Sequence, residues 1–521
     1  MNNLHSTTSH KRVEIEFHPA DVADMTDKTV AVMKASNQAF SQGGRVVYVA
    51  TVPMDVGEES VTRTFLATAT VHTLRDGVSR RVMYRHPPTI TTDENGRKKK
   101  TLGSPLLPPN AVMEALIGRQ GAGLNPVMMA SGSPIFRKDG SVAQANGYDA
   151  LSRIFIQFDA TYPAVPENPT RADALVALDQ LKMPFRGFPF VEAVDSAVAI
   201  SAILTAMISF TLSAKPAVGV NSYVAGTGKT KLVNTISIIA TGAPLPQINA
   251  AKASAETEKR IDALLLEGNA AIGLDNVSSS FGDDKLCTSV TSSRVKVRPL
   301  GSSNTVTVRS PLVFLNGNNL QPKGDFCRRM LCSVLDAQVD DPTARIFDFN
   351  AEAEAAANRP ALVVAALTIL RAYEVAGRPE SGLAPVGSFE EWSRRVRDAL
   401  VWLGEPDVAS TIKDVREGDP ERRALQAMLI GWHNVIGSKK VRAAEAIAEA
   451  QNAVAFDPKD EKAADLLEFM ESVAGEPDRS ISPIRLGTYL ARHVQRNVAG
   501  RWIKRSMLNG ITRWQLCCEP L

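Results

Sequence analysis

Cysteine is scarce in this chain, with 5 residues in 521. Cys287, Cys327, Cys332, Cys517 and Cys518 form no C-x-x-C pair and sit in no histidine-rich context. That excludes a disulfide scaffold and a zinc site, and it fits a reducing, cytoplasmic compartment. An excess of one charge sign is also lacking. Lys and Arg number 59 against 56 Asp and Glu, a net +3, so any nucleic-acid binding has to come from local patches. The opening "MNNLHSTTSHKR" has no apolar stretch, and no secretory signal is expected. Long hydrophobic runs are nearly absent. The one uncharged run, "SAVAISAILTAMISFTLSA" (196–214), is rich in Ser, Thr and Ala and has no second copy, so it reads as a buried helix and no membrane partner is expected. There are no internal repeats.

What is there is an ordinary globular composition, 44% apolar and 22% charged, in a length that suits three or four domains. Residues 1–30 are polar and expected to be flexible. Residues 31–168 read as an α+β collar or accessory domain of short β-branched strands, with a basic loop at "ENGRKKKTLG" and a hairpin turning at Asp139 and Gly140. Helices and strands alternate over 169–350, which predicts an α/β sheet. Residues 351–456 read as a helical lid region with a break at Pro360, 457–478 as an acidic helix plus linker, and 479–521 as a basic winged-helix-like end.

"NSYVAGTGKTKL" (221–232) carries a Gly-Thr-Gly-Lys-Thr core between the strand-like "PAVGV" and the helical "KLVNTISIIATG". That is the setting of a phosphate loop, or Walker A motif, although Tyr223 stands where glycine usually opens it. The stretch from Ala225 through Gly226, Thr227 and Gly228 to Lys231 is expected to wrap ATP phosphates. Lys229 would reach the β- and γ-phosphates and Thr230 would hold Mg2+. "NAAIGLDNV" (269–277) is an apolar strand ending in Asp275, the Walker B pattern for positioning Mg2+. Asn276 takes the place of the glutamate that polarises the attacking water, which leaves Glu256 on the preceding helix as a candidate base; its alternative is an exposed, ion-paired helical face.

"PLVFLNGNNL" (311–320) is a strand ending in polar residues, where Asn318, or alternatively Asn316, is placed to sense the γ-phosphate. Arg328 and Arg329 follow as candidates for a finger supplied to a neighbouring subunit, with Arg345 a third. "SRVKVRPLGSSNTVTVR" (293–309) alternates as two strands around Gly301–Asn304, and Lys296 and Arg298 could grip single-strand phosphates. Residues 479–518 hold eight positive charges and no acid, including Arg501, Lys504, Arg505 and Arg513 on a hairpin turning at Asn509-Gly510. Trp502 and Trp514 are expected to pack the small core there.

In this order the blocks "AGTGKTKL", "AETEKRIDALLLEGNAAIGLDN", "GNNL" and "GDFCRRM" resemble the ATPase portion of phage and mobile-element primase-helicase proteins, over roughly residues 135–405. The resemblance implies an AAA+ ring motor related in layout to superfamily 3 helicases, with single-stranded or forked DNA, further copies of itself in a hexamer, and a primase or origin-binding protein as partners. It also implies phosphate binding at Gly228, Lys229 and Thr230, Mg2+ positioning at Asp275, sensing at Asn318 and the finger at Arg328 or Arg329. No zinc ribbon or paired-Asp primase site accompanies it. An ATP-switched origin-binding or loader protein, which Asn276 favours, and a protein-remodelling ATPase are the alternatives.

Overall fold

The computed structural model describes residues 12–519 apart from 57–58, 93, 95, 251–253, 278–280, 283, 299–304, 340–341, 343–348 and 479. The Gly301–Asn304 turn and Arg345 lie outside the described residues. The chain packs as two compact units. One comprises Met1–Ser279, Asp283–Leu320 and Arg329–Thr411; the other comprises Ser280–Gly282, Gln321–Arg328 and Ile412–Leu521.

The first unit is structured from near its start. Strand β1 (Val13–Glu16) runs parallel to Val82–Arg85, and helix α1 (Val22–Ala35) follows. The Asp21 carboxylate caps that helix by accepting the Asp24 amide at 3.1 Å, while Met25 and Met33 are buried against Leu74, Tyr84 and Met113. A capped helix with an apolar face is why this segment folds instead of staying flexible. Strands β2 (Phe40–Gln42), β3 (Arg45–Val56) and β4 (Glu59–Thr68) form an antiparallel meander. The basic loop is a solvated hairpin, Thr89–Thr92 against Lys98–Thr101, with every strand residue exposed. Asp139 and Gly140 turn a second hairpin, Gly140 at φ +84°.

Helix α2 (Arg171–Lys182) opens with a capping box: the Thr170 amide donates to Asp173 at 2.8 Å and the Asp173 amide to Thr170 at 3.2 Å. Helix α3 (Ala193–Ile208) carries most of the uncharged run, and twelve of its residues are buried. Among the described residues no single helix is long and apolar enough to cross a membrane, and the apolar pair Ala351–Ala357 and Arg359–Val375 is bent by 80° with its apolar side chains in the core.

A parallel sheet follows. Its strands are β5 (Ala217–Ser222), β6 (Gln247–Asn249) and β7 (Ala271–Asp275). Helices α4 (Lys229–Thr241) and α5 (Ser254–Leu266) connect them. After α6 (Asp284–Thr291), β8 (Arg294–Val297) pairs antiparallel with β9 (Val306–Arg309). Strands β10 (Leu312–Asn318) and β11 (Met330–Leu335) complete the sheet in the order β6-β7-β10-β5-β11, every neighbouring pair parallel. Leu312–Leu315 and Ala217–Val220 are buried throughout, as strands covered on both faces must be.

Helix α7 (Arg359–Val375) starts with Pro360 in its first turn, and the break falls at Asn358, two residues ahead of the proline. Up to Thr411 this helical region belongs to the first unit. Arg359 donates to the Gly132 carbonyl at 3.0 Å, Arg371 to Gly140 at 2.8 Å and Arg395 to Lys138 at 2.7 Å. Three arginines thus tie backbone carbonyls of the N-terminal region into the helices. The main division of the chain falls between residues 411 and 412, with 280–282 and 321–328 joining the second unit.

The second unit contains helices α8 (Pro420–Val435), α9 (Ala443–Phe456), α10 (Glu461–Ala474) and α11 (Pro483–Arg492), then the hairpin β12 (Arg501–Leu508) and β13 (Ile511–Cys518). Its core holds Leu425, Trp432, Leu466, Met470, Leu490, Ile503 and Trp514. The acidic stretch is helical over Glu461–Ala474, where α10 buries Leu466, Met470 and Ala474. Asn509 (φ +52°) and Gly510 (φ +76°) are both left-handed, the backbone that a type I′ turn demands.

Candidate functional site

Strand β5 delivers the chain to the phosphate loop. Ser222, buried at its end, receives the Val224 amide at 3.2 Å and donates to the Val224 carbonyl at 2.8 Å, which starts the turn. Tyr223 points into solvent, 67% exposed, so a bulky residue is accommodated where glycine is usual. The left-handed backbone falls at Gly226 (φ +80°) and Gly228 (φ +97°), where only glycine is unstrained. Gly228 is also the N-cap of α4, so the unpaired amides of the first turn and the positive end of the helix face the loop. Thr227 is buried; Ala225 and Lys231 are exposed.

Lys229 makes only long contacts within the loop, 3.3 Å to Thr227 Oγ1 and 3.4 Å to the Val224 carbonyl. Burial holds its ammonium below the usual lysine range, and the nearby Asp275 pulls in the opposite direction. A half-desolvated cation with weak partners is suited to an incoming phosphate.

The sheet order places β10 between the phosphate-loop strand and the Walker B strand. Asn316, fully buried on β10, donates from Nδ2 to Asp275 Oδ1 at 2.7 Å and lies 3.5 Å from Thr230 Oγ1. Its Oδ1 is buried without a partner among the described residues. Asn318, two residues further along the same face, is the last residue of β10, paired with Ser222 of β5 and exposed. The bridging position is thus occupied by Asn316, not by Asn318. Gly317 was not singled out from the sequence, yet a Cβ there would meet the Val277 carbonyl at 2.2 Å. That close approach lets the Val277 amide bond the Asn316 carbonyl at 3.1 Å, and no one-residue sequence signal marks it.

Asp275 also accepts the amide of Asn276 at 2.7 Å. Asn276 sits at φ +53°, exposed, in a left-handed conformation that asparagine tolerates. Glu256 is half-exposed and pairs along its own helix with Lys259 (3.8 Å) and Arg260 (3.5 Å). Those are the ion pairs of a solvated helical face, and no bond joins Glu256 to the Asp275 group among the described residues.

Thr230 and Asp275 supply a hydroxyl and a carboxylate joined through Asn316, the oxygen chemistry a hard cation such as Mg2+ accepts. The glycine cradle, the weakly held Lys229 and the unpartnered Asn316 Oδ1 fit a nucleoside triphosphate with its metal ion.

The two candidate finger arginines have different surroundings. Arg329 donates to the Cys287 carbonyl at 2.8 Å and to Thr291 Oγ1 at 3.1 Å, holding α6. Arg328 ends the short turn Gly324–Arg328, half-exposed, with Asp325 as a partner. In the inserted hairpin, Val295 and Val297 are buried and Arg294, Lys296 and Arg298 are exposed, so the alternation read from the sequence holds.

The C-terminal basic segment is less uniform than its composition. The fold brings acids from elsewhere in the same unit to three of its arginines. Arg485 meets Glu476 at 3.6 Å, Arg496 meets Asp419 at 3.8 Å, and Arg513 meets Glu445 at 3.9 Å while donating to the Lys440 carbonyl. Lys504 and Arg505 stay exposed on β12, Arg501 is partly buried, and Arg505 lies 5.9 Å from the Trp514 ring. Trp514 is in the core, as expected, and Trp502 is partly buried.

No family model matches the chain. No curated protein matches it either. Among solved structures, the apo NrS-1 C-terminal region is 11% identical, covering 95% of this chain and 99% of that one at a TM-score of 0.41. The SCCmec type IV Cch active helicase is 10% identical over 78% and 79%, with a TM-score of 0.30. The JCV helicase is 14% identical over 48% and 74%, with a TM-score of 0.22. At that distance any function rests on the chain's own residues.

Proposed function

We propose that this chain is an ATP-hydrolysing DNA helicase or translocase acting in replication of a phage or mobile element, working as a ring, hexameric by resemblance. The observation that carries the reading is the Asn316 amide on β10 joining Asp275 at the end of β7 to Thr230 in the first turn of α4, directly beside the glycine cradle and Lys229. ATP would lie on the amides of Ala225–Lys231, with Lys229 on its β- and γ-phosphates and Asn316 reporting the γ-phosphate to the sheet. Mg2+ held by Thr230 and Asp275 would offset charge developing on the phosphates. An arginine from a neighbouring copy, Arg328 by its exposure, would complete the site. Lys296 and Arg298 would follow a single strand, and a winged-helix-like end over 479–521 would engage forked DNA through Lys504 and Arg505, with a primase or origin-binding protein as a further partner.

One observation favours a second reading, an ATP-switched origin-binding or loader protein. Asn276 has no carboxylate, and Glu256 is paired along its own helix. ATP turnover and forked-DNA unwinding by wild type and Lys229→Ala separate the two. A motor shows DNA-stimulated hydrolysis and unwinding, both lost in Lys229→Ala; a switch binds ATP with neither.

A further inference from the structure

The nucleotide site lies at the C-terminal ends of the parallel strands. At their opposite ends, where β7 and β10 begin, a cavity of 260 Å3 opens between those strands, the β3–β4 hairpin and the base of the β8–β9 hairpin. Four arginines line it: Arg45, Arg63, Arg294 and Arg309. Glu267 is the one carboxylate among the lining residues; it is exposed and accepts from Asn269 at 2.8 Å. Among the described residues none of the four arginines forms an ion pair.

Their other partners are neutral. Arg63 donates to Asn269 and Arg309 to the Ser209 carbonyl at 3.0 Å. Arg294 and Arg309 stand directly opposite each other in the hairpin, an arrangement of like charges that weakens a strand pair. Burial, with Arg294 adding to it, pushes Arg309 down to about 10. Behind it Lys215, wholly buried, donates to the Ser310 carbonyl at 2.8 Å. Two buried polar atoms on the wall have no partner among the described residues. They are Ser310 Oγ, on a residue 1% exposed, and Arg45 Nε. A surplus of three positive charges beside orphaned donors is a costly arrangement for an empty cavity.

We propose that this cavity is a phosphate-binding site, distinct from the phosphate loop, in which Arg45, Arg63, Arg294 and Arg309 hold the anion and Ser310 donates to it. Planar guanidinium forks match phosphate oxygens in pairs, and the volume suits a phosphate or pyrophosphate group. The ligand would join the base of the β8–β9 hairpin to β3 and β4. The phosphate is either that of a nucleic-acid backbone or of a small free phosphate ester. The site does not depend on the nucleotide reading, since none of its residues belongs to the loop.

The test is calorimetric titration of inorganic pyrophosphate into the full-length chain at low ionic strength. Lys229→Ala is expected to bind one equivalent, and wild type that equivalent besides any held at the phosphate loop. In the Lys229→Ala background, Arg45→Gln and Arg294→Gln are expected to bind at least about tenfold more weakly. Arg294 is exposed on its strand, so its replacement leaves the core intact. Its thermal midpoint without pyrophosphate should hold or rise as the opposed charges are relieved, whereas a purely structural arginine would lower it. Binding that disappears in Lys229→Ala, or survives both arginine changes, overturns the proposal. Displacement of pyrophosphate by a single-stranded oligonucleotide identifies a backbone phosphate, and its persistence identifies a free one.

Discussion

At the residue scale, the sensor illustrates where a sequence stops being legible. "LNGNNL" offers Asn316 and Asn318, and in a strand residues two apart share a face. Face alone cannot choose between them; the choice depends on where the sheet ends, and that is set by neighbours β5 and β7. The structure leaves Asn318 exposed and buries Asn316 against Asp275. Asn316→Ala should therefore cut ATP turnover about 10²- to 10³-fold while leaving nucleotide binding in place, as loss of one preorganised donor does. Asn318→Ala should turn over close to wild type. Steady-state hydrolysis with fluorescent-nucleotide binding reads both, and the reverse ranking would return the role to Asn318.

Lys215 gives a second residue-scale expectation. Burial, with a smaller push from Arg309, brings its ammonium down to about 7. In the unfolded chain the same group holds its proton up to roughly 10.4. Between those values the unfolded state binds more protons, so stability contributed by Lys215 rises with pH and falls as pH drops toward 7. One proton limits the slope to about 1.4 kcal/mol per pH unit. Denaturant unfolding at pH 7 and pH 9 should show wild type gaining on Lys215→Met; a constant difference would mean the lysine is charged in the fold.

At the element scale, local chemistry was readable wherever one residue type decides the backbone. Gly226, Gly228, Gly140 and Asn509-Gly510 fall at left-handed positions, and Thr170-x-x-Asp173 forms the cap its spacing predicts. Packing between elements was not readable. Gly431 lies within α8 at a helical position, where alanine would ordinarily stabilise by about 0.5–1 kcal/mol. Here an added Cβ would meet Leu466 Cβ at 2.9 Å and its Cα at 3.5 Å, so α8 and α10 cross at a glycine. Gly431→Ala should instead cost about 1–3 kcal/mol by overpacking. Leu466→Ala in the same background should not recover the loss, because the obstructing Cβ and Cα remain in alanine and the buried side chain leaves a cavity. A neutral or raised thermal midpoint for Gly431→Ala alone would show that the crossing can open without cost.

At the scale of the whole molecule, composition misled in two places for one reason: it counts residues by sequence neighbourhood, and folding regroups them. The acid-free C-terminal segment acquires Asp419, Glu445 and Glu476 as partners, and residues 132–140 are held by Arg359, Arg371 and Arg395. Assembly is the level at which a single chain's contacts give the least, so the finger needs a test that uses two kinds of chain. Arg329 is committed to Cys287 and Thr291 within its own chain, and Arg329→Ala should lower the thermal midpoint. Arg328→Ala should fold normally and fail to hydrolyse ATP, as Lys229→Ala does. If Arg328 acts on a neighbour, mixing the two inactive proteins creates interfaces where an intact Lys229 faces an intact Arg328, and those interfaces hydrolyse. Activity in the mixture, rising with protein concentration, is the expected result. A mixture as inert as its parents would remove Arg328 from the site of a neighbouring copy, and with it the ring that the sequence implies.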